Sequence, residues 1–389
     1  MLALHEAADG WLARVRVPGG RLSAAQLDVL AAAAEELGNG FVDLTARANL
    51  QLRGLEKHGG EGLARRLRPV GLLPSLAHDR VRNVLAGPLA GRAPGALADV
   101  DDIVALLDAR VCASTVLDEL PGRFCFLVDD GTGTGSELLP DITVVALDAG
   151  GFGVSLDGQP LPITAEAHVA VTLAVDAALA FLDVRGDAWR LSEVPGGAPA
   201  VAAQLGLRIV GAKRPLRRAP ALAPGILTQH DGRVAVTALA PLGQLSPALL
   251  RELATLGPDL RLSAQRTVTL VDLDPQVGGP ASAAMQRAGL VVDGASGWFG
   301  LTACAGTGHC ANALADVRAA AARRALVRAP GAPAEHWAAC DRRCGETGST
   351  AVAVAVQRPG AVAVRYGTRT SVEPTLYAAR ERVQAEYVR

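Results

Sequence analysis

Cys304-Ala-Gly-Thr-Gly-His-Cys310 and Cys340-Asp-Arg-Arg-Cys344 gather four of the chain's six cysteines into two tight pairs. Structural zinc prefers C-x2-4-C knuckles, because a short turn must span each tetrahedral edge, and the five-residue gap of the first pair suits it poorly. A cubane iron–sulfur cluster is wider and takes thiolates from loops with longer gaps. Gly306 and Gly308 would let the first loop fold back and bring backbone N–H groups to the sulfides. Disulfides or simply buried thiols are the plain alternative, though a reducing interior keeps thiols free. The spacing therefore points to a four-iron cluster, with zinc and unligated thiols still open.

A second set of chemistry-bearing residues lies in Val42 to Arg53. Val42, Leu44, Ala46, Ala48, Leu50 and Leu52 alternate with Asp43, Thr45, Arg47, Asn49, Gln51 and Arg53. Period two predicts one long strand with an apolar face on a core and a donor-rich face toward solvent or a ligand. Lysine occurs only at Lys57 and Lys213, so nearly all positive charge is arginine. Guanidinium groups grip carboxylates through two parallel hydrogen bonds, whereas little lysine is left to donate protons. Arg47, Arg53, Arg82, Arg123 and Arg266 would together suit a large planar molecule bearing many acid groups.

The elements that must position these residues occur twice. Trp11 to Val17 alternates as a strand, Pro18-Gly-Gly20 turns it, and Ser23 caps a helix running to Leu37. Val234 to Leu239, Pro241-Leu-Gly243, Ser246 as cap, a helix to Leu256 and a strand Leu260 to Leu270 retrace that order. Asp43, Thr45, Arg47, Asn49 and Gln51 fall in phase with Arg261, Ser263, Gln265, Thr267 and Thr269, and Arg266 alone breaks the matching apolar positions. Val84 to Gly91 resembles Leu301 to Gly308 more weakly. Helices are expected over Asp101–Leu107, Ala165–Leu182, Ala311–Arg328 and Thr375–Tyr387. A strand is expected over Leu120–Val128, with Arg123 and Cys125 on one face, and a strand pair over Thr350–Val356 and Ala361–Arg365. The prediction is an α+β, pseudo-twofold duplicated fold. Residues 1–70 form a first ferredoxin-like half-domain, 75–193 an α/β domain, 194–225 a Pro-, Ala- and Arg-rich linker, 226–288 a second half-domain and 289–389 the α/β domain carrying the cysteines. The two halves face each other across one crevice.

Composition narrows the partners. A net charge of −1 over 389 residues argues against a nucleic acid held by phosphate contacts. No eighteen-residue apolar run and no basic leader stand out, so no membrane partner and a cytoplasmic location are expected.

The cysteine spacing, in Thr302-Ala-Cys-Ala-Gly-Thr-Gly-His-Cys310 and His336-Trp-Ala-Ala-Cys-Asp-Arg-Arg-Cys344-Gly, resembles the cluster signature of the sulfite/nitrite reductase superfamily. The resemblance covers nearly the whole chain. It implies a [4Fe–4S] cluster on Cys304, Cys310, Cys340 and Cys344, and two sulfite-reductase-like α/β domains. Thr45-x-Arg47-x-Asn49-x-Gln51 resembles that superfamily's tetrapyrrole-contacting strand, which gives Arg47, Asn49 and Gln51 a ligand-facing role. Arg80-Val-Arg82-Asn83-Val resembles its R-N-V segment and gives Arg82 and Asn83 a substrate-binding role; Arg123 and Arg266 join that set. Leu120-Pro-Gly-Arg123-Phe-Cys125 departs from the reductases' L-P-R-K-F-K, replacing a proton-supplying lysine with a thiol. In size and wording the chain is most similar to the oxygen-dependent, cobalamin-forming branch. That implies a monooxygenase acting on precorrin-3A, a polycarboxylate tetrapyrrole, with O2. The macrocycle is hydroxylated at C20 with lactone closure, and electrons come from NADH or a reductase. A mononuclear non-haem iron is implied as well, and bound sirohaem is not expected. His309 and His336 lie near the cysteines but show no 2-His-1-carboxylate spacing, and no catalytic residue can be named. Cys125 and Cys112 are expected as packing thiols. A sirohaem-dependent sulfite or nitrite reductase is the alternative, and a non-catalytic zinc-stabilised or tetrapyrrole-carrier protein is a third reading.

Overall fold

Two turns set the frame. Pro18-Gly19-Gly20 and Pro241-Leu242-Gly243 both enter left-handed backbone, with φ of 63° and 69° at Gly19 and Gly20 and 55° and 76° at Leu242 and Gly243. A Cβ at Gly20 would come 2.6 Å from the carbonyl oxygen of Leu262, and one at Gly243 would come 3.1 Å from that of Leu44. Each turn thus presses on the hairpin of the opposite repeat, where only glycine fits closely. A helix follows each turn. Ala24–Glu36 begins at Ser23, whose hydroxyl accepts from Gln26 N–H in a capping box, and Pro247–Leu256 begins at Ser246, which accepts from Leu249 N–H.

These repeats build two antiparallel five-stranded sheets in the computed structural model, which describes residues 3–135, 139–147, 150–211, 222–348 and 350–386. The first sheet runs His5–Ala7, Gly10–Val15, Leu50–Leu55, Val42–Leu44 and Gln244–Leu245; the second runs Gly225–Thr228, Val234–Leu239, Thr267–Leu273, Asp259–Leu262 and Arg21–Ser23. The last strand of each comes from the other repeat, with Leu245 opposite Val42 and Leu260 opposite Leu22. Residues such as Leu27, Leu50, Leu250 and Leu270 share one core between the two sheets. The halves are therefore exchanged at their edges, which covers strands that would otherwise be open to pairing.

Two further five-stranded sheets share one topology. In Val84–Leu85, Phe126–Asp129, Ile142–Ala146, Phe152–Leu156 and Gln159–Ala165, the first three strands pair in parallel and the rest antiparallel. Leu301–Ala303, Glu335–Ala338, Val352–Arg358, Ala361–Tyr366 and Arg369–Glu373 repeat that pattern. Helices Asp101–Ala113 and Val317–Ala325 make the parallel crossovers, and Ala167–Val184 and Leu376–Glu386 follow the last strands. The 18-residue helix Ala167–Val184 is long and apolar enough to cross a membrane by length and composition alone. It carries Asp176 and Asp183 and buries Ala174, Ala178 and Phe181 in the sheet core, where the Phe181 ring lies 4.7 Å from that of Phe124.

Five expectations need correction. The stretch Val42 to Arg53 is a hairpin: Val42–Leu44 pairs with Leu50–Leu55 around a loop in which Thr45 N–H donates to the carbonyl of Asn49 at 2.9 Å. Leu44 pairs with Leu50, an even number of residues away, so the alternation passes through the loop without a change of phase. Leu260 to Leu270 is a hairpin of the same kind, with Leu262 opposite Val268. The strand expected from Leu120 starts only at Phe126, because Phe124 N–H closes a turn on Pro121; Arg123 is exposed on that turn while Cys125 is buried. The helix expected over Ala311–Arg328 is Val317–Ala325. Its first residues are used instead to tie loops together, Leu314 N–H donating to Ala339 and Thr307 N–H to Ala315, and Asp316 caps the shortened helix. Part of the expected linker is the helix Gly197–Gln204, whose Val201 and Ala202 enter the core of the first mixed sheet. Residues 212–221 of that linker, with Lys213, and Tyr387 lie outside the described residues.

Candidate functional site

The crevice between the halves holds two chambers. The first, about 420 Å³, is lined by Cys304, Cys310, Cys340 and Cys344, together with Arg266 and Arg318. The second, about 540 Å³, is lined by Arg14, Arg16, Arg47, Arg80 and Arg123, with Trp189 half-exposed among them. Cys344, Gly345, Gln51 and Arg14 line both, so the last cysteine stands in the wall that the chambers share.

The four cysteines are free thiols brought in by two loops after adjacent parallel strands. Gly306 and Gly308 have φ of 76° and 87°, and Cys310 N–H donates to the Gly306 carbonyl at 3.1 Å, folding the first loop tightly. Cys304 Sγ already accepts from Ala339 N–H at 3.2 Å. In the second loop Arg343 adopts φ 47° and Gly345 φ 92°, which turns Cys344 into the crevice. Burial pushes the Cys344 thiol up, and the charges of Cys340, Cys304 and Cys310 push it further in the same direction. Four thiolates in one place need positive charge between them, which is what a metal cluster supplies. Among the described residues no three His, Cys, Asp or Glu side chains are grouped tightly enough to hold one metal ion. Four separated thiols around a chamber, with backbone N–H directed at sulfur, fit a cubane better than a single ion.

The second chamber is dominated by arginines. Arg16 is 7% exposed and donates to the carbonyls of Arg80 (2.9 Å) and Gly122 (3.0 Å), while its Nε has no partner. Burial and the neighbouring Arg47 and Arg14 lower its pKa to about 10. The Arg47 guanidinium has no hydrogen-bond or ion-pair partner among the described residues, and burial lowers its pKa too. Such a concentration of guanidinium groups is costly until anions arrive.

The sequence-derived residues divide between the chambers. Arg47, Asn49, Gln51 and Arg123 line the second, whereas Arg266 lies in the first. Arg123 is loosely paired with Glu193 at 3.8 Å. Asn49 and Asn83 act largely on the scaffold: Asn49 Oδ1 accepts from Val17 N–H at 2.9 Å, and its amide donates to Asn83 Oδ1 at 3.0 Å. Arg82 is turned away from both chambers and clamps Asp108 through bonds of 2.8 and 2.7 Å. Arg53 is likewise committed, holding Asp9 twice at 3.0 Å. Cys125, buried beside Leu85 and Leu127, is pushed up to about 11 by burial and remains a thiol; burial and Asp108 raise Cys112 as well.

His309 lines the first chamber with Nδ1 3.0 Å from Asp9. His336 is fully buried, its Nδ1 2.8 Å from Thr302 Oγ1 and its Nε2 without a partner; burial and then Arg266 push it down to about 3, so it is neutral. Sequence reasoning missed Arg14 and Arg16. Their signal was present, since they alternate with Ala13 and Val15, Arg14 on the strand where it pairs with Gln51 and Arg16 just past its end.

Comparison with known proteins agrees with this architecture. Residues 5–70 match the family described as the nitrite/sulfite reductase ferredoxin-like half domain. A Sinorhizobium protein named precorrin-3B synthase is 25% identical over 351 residues, spanning 86% of this chain and 75% of the relative. The Mycobacterium tuberculosis NirA protein superposes with a TM-score of 0.74 at 18% identity, covering 93% of this chain and 76% of that one. The chain fits the sulfite/nitrite reductase superfamily. A ferredoxin–nitrite reductase of Synechococcus elongatus is 32% identical, but over only 31% of this chain and 25% of its own length. The chain is an α+β protein whose two antiparallel sheets carry the crevice and whose two mixed sheets supply its loops.

Proposed function

We propose that this chain is a precorrin-3B synthase: an O2-dependent monooxygenase that hydroxylates precorrin-3A at C20, with lactone formation, in aerobic cobalamin biosynthesis. The observation that carries the proposal is the shared wall at Cys344 and Gly345, which sets a four-thiol chamber directly against an arginine chamber. The relative matching along 86% of the chain bears that enzyme's name, whereas the Synechococcus nitrite reductase matches 31%. No lysine lines either chamber among the described residues, which disfavours a reduction that consumes many protons.

In this mechanism Arg47, Arg16, Arg80 and Arg14 bind the carboxylates of the macrocycle, and Gln51 orients it beside Cys344. Cys304, Cys310, Cys340 and Cys344 would hold the [4Fe–4S] cluster, which supplies one-electron transfer from NADH or a reductase when bound. One oxygen atom of O2 enters the C20 hydroxyl; the other leaves as water with two electrons and two protons. Ligands for a mononuclear iron are not assigned, and His309, oriented by Asp9, is the nearest in character to such a ligand. The protein is proposed to act in the cytoplasm, without nucleic acid or membrane partners.

The test uses anaerobically purified, iron- and sulfide-reconstituted protein. A broad brown absorption shoulder without an intense Soret band, and one labelled oxygen from ¹⁸O2 in the product hydroxyl, are expected. Stoichiometric bound sirohaem with sulfite or nitrite reduction would establish the reductase reading instead.

A further inference from the structure

Arg266 stands in the loop of the second hairpin at the position held by Ala48 in the first, and both are left-handed, with φ of 62° and 52°. A long side chain in that conformation carries backbone strain that glycine would avoid. Its guanidinium is nonetheless buried, 7% exposed, and makes no hydrogen bond or ion pair among the described residues. The side chain threads a channel kept open by two glycines. A Cβ at Gly243 would sit 2.6 Å from Arg266 Cδ, and one at Gly345 would sit 3.0 Å from its Nη2 and 3.5 Å from His336 Cε1. The channel ends in the cysteine chamber. Asp43, the carboxylate whose charge reaches Arg266, is engaged with Arg318 at 3.4 Å. A buried cation at the end of a built channel, without a protein anion, marks the place of an anion that arrives later. The Nε2 of His336 beside the same gap has no hydrogen-bond partner among the described residues, a second sign that something polar belongs there.

We propose that Arg266 serves the cluster and not the macrocycle: its guanidinium offsets the negative charge of the thiolates and sulfides in the first chamber and thereby raises the cluster's reduction potential. The inference rests on the cluster assignment made above and departs from a macrocycle-clamping role for this arginine. Reduction adds one electron to an already anionic group, so a fixed positive charge beside it favours the reduced form more than the oxidised one. Arg47, in the other chamber, has no such effect.

The experiment is a redox titration, followed by absorbance and electron paramagnetic resonance, of reconstituted wild type, Arg266→Gln, Arg266→Lys and Arg47→Gln, with iron and sulfide measured in each. Arg266→Gln is expected to lower the reduced-to-oxidised ratio at a fixed potential at least tenfold, about 59 mV for one electron. Arg266→Lys should stay near wild type and Arg47→Gln should not move. If Arg266→Gln takes up no cluster while Arg266→Lys does, the charge is required and the proposal stands. A shift under tenfold in a fully loaded Arg266→Gln protein, or loss of cluster in both variants, overturns it. Wild-type protein that takes up no iron and sulfide sinks the cluster assignment together with this inference; an unmoved potential in a loaded variant sinks the inference alone.

Discussion

At one equivalent position the two halves carry opposite charges. Asp43 in the first hairpin and Arg261 in the second both reach the crossover helix of the other half, Asp43 to Arg318 and Arg261 to Asp101. The second contact is sealed: Arg261 is 1% exposed, donates to both oxygens of Asp101 at 2.7 Å and also holds Asp259. Burial alone would raise the Asp101 carboxyl, yet hydrogen bonds from Arg261 and the charges of Arg261 and Arg92 outweigh it and hold the group at about 2. The first contact is a single 3.4 Å approach that opens on the cysteine chamber. The crossover helix of the first half is locked through this position, and that of the half carrying the four clustered cysteines is left slack beside the space where a charged group must fit.

The most severe way to probe the difference is at the cysteines. Cys344→Ser should reduce bound iron and sulfide to background while the far-ultraviolet spectrum is unchanged, and full retention of both would mean that the loops do not hold a cluster. Next in size is the sealed pair. Asp101→Ala leaves Arg261 with only Asp259 and should cost about 3–5 kcal/mol in urea unfolding. Asp43→Ala should cost about 1 kcal/mol, the value of one ordinary hydrogen bond; equal losses would erase the distinction between the halves. The sign with pH follows from Asp101. Its folded value of about 2 lies below the ordinary 3.8, so its stabilisation is complete above that ordinary value and is lost as pH falls through 2. Stability measured from pH 5 to pH 2 should therefore fall less steeply in Asp101→Asn than in the wild type.

Much of this was legible in the chain because duplication writes the same pattern twice. The Pro-Gly turns, the Ser caps and the in-phase polar positions identified the repeats, and the cysteine spacing located the site. The hairpins were hidden because Ala48 and Arg266, not glycine or asparagine, take the left-handed position, and because Ser263 and Thr45 close their loops with side-chain oxygens. Edge exchange was hidden for a different reason, since Arg21–Ser23 and Gln244–Leu245 are too short to read as strands. Partner choice was also invisible. Arg82 and Arg47 look alike in sequence, and only packing shows that one is consumed by Asp108 while the other has no such partner among the described residues.

That contrast sets the third test. Arg47→Ala should weaken binding of a carboxylated tetrapyrrole by about 1.5–3 kcal/mol, the worth of a hydrogen bond to a charged group, and leave folding stability nearly unchanged. Arg82→Ala should do the reverse, lowering stability with little effect on binding by the properly folded fraction. If both variants lose affinity equally at matched folded concentration, Arg82 reaches the ligand in a state other than this one.

The smallest expected effect bears most directly on why the halves differ. Ala48 and Arg266 share a strained backbone at matching positions, so Ala48→Gly measures what that strain costs when the side chain has no other task. Glycine relieves about 1–2 kcal/mol of left-handed strain but gives back about 0.4–1 kcal/mol through a freer unfolded chain. A gain of up to about 1.6 kcal/mol in urea unfolding is expected, with the cluster potential unmoved. A loss would mean that the buried Ala48 methyl is worth more than the strain, and the backbone would then be no guide to function. A gain would mean that the second half keeps an equal strain at Arg266 although glycine would remove it, which leaves the charge at the end of that side chain as the reason for its retention.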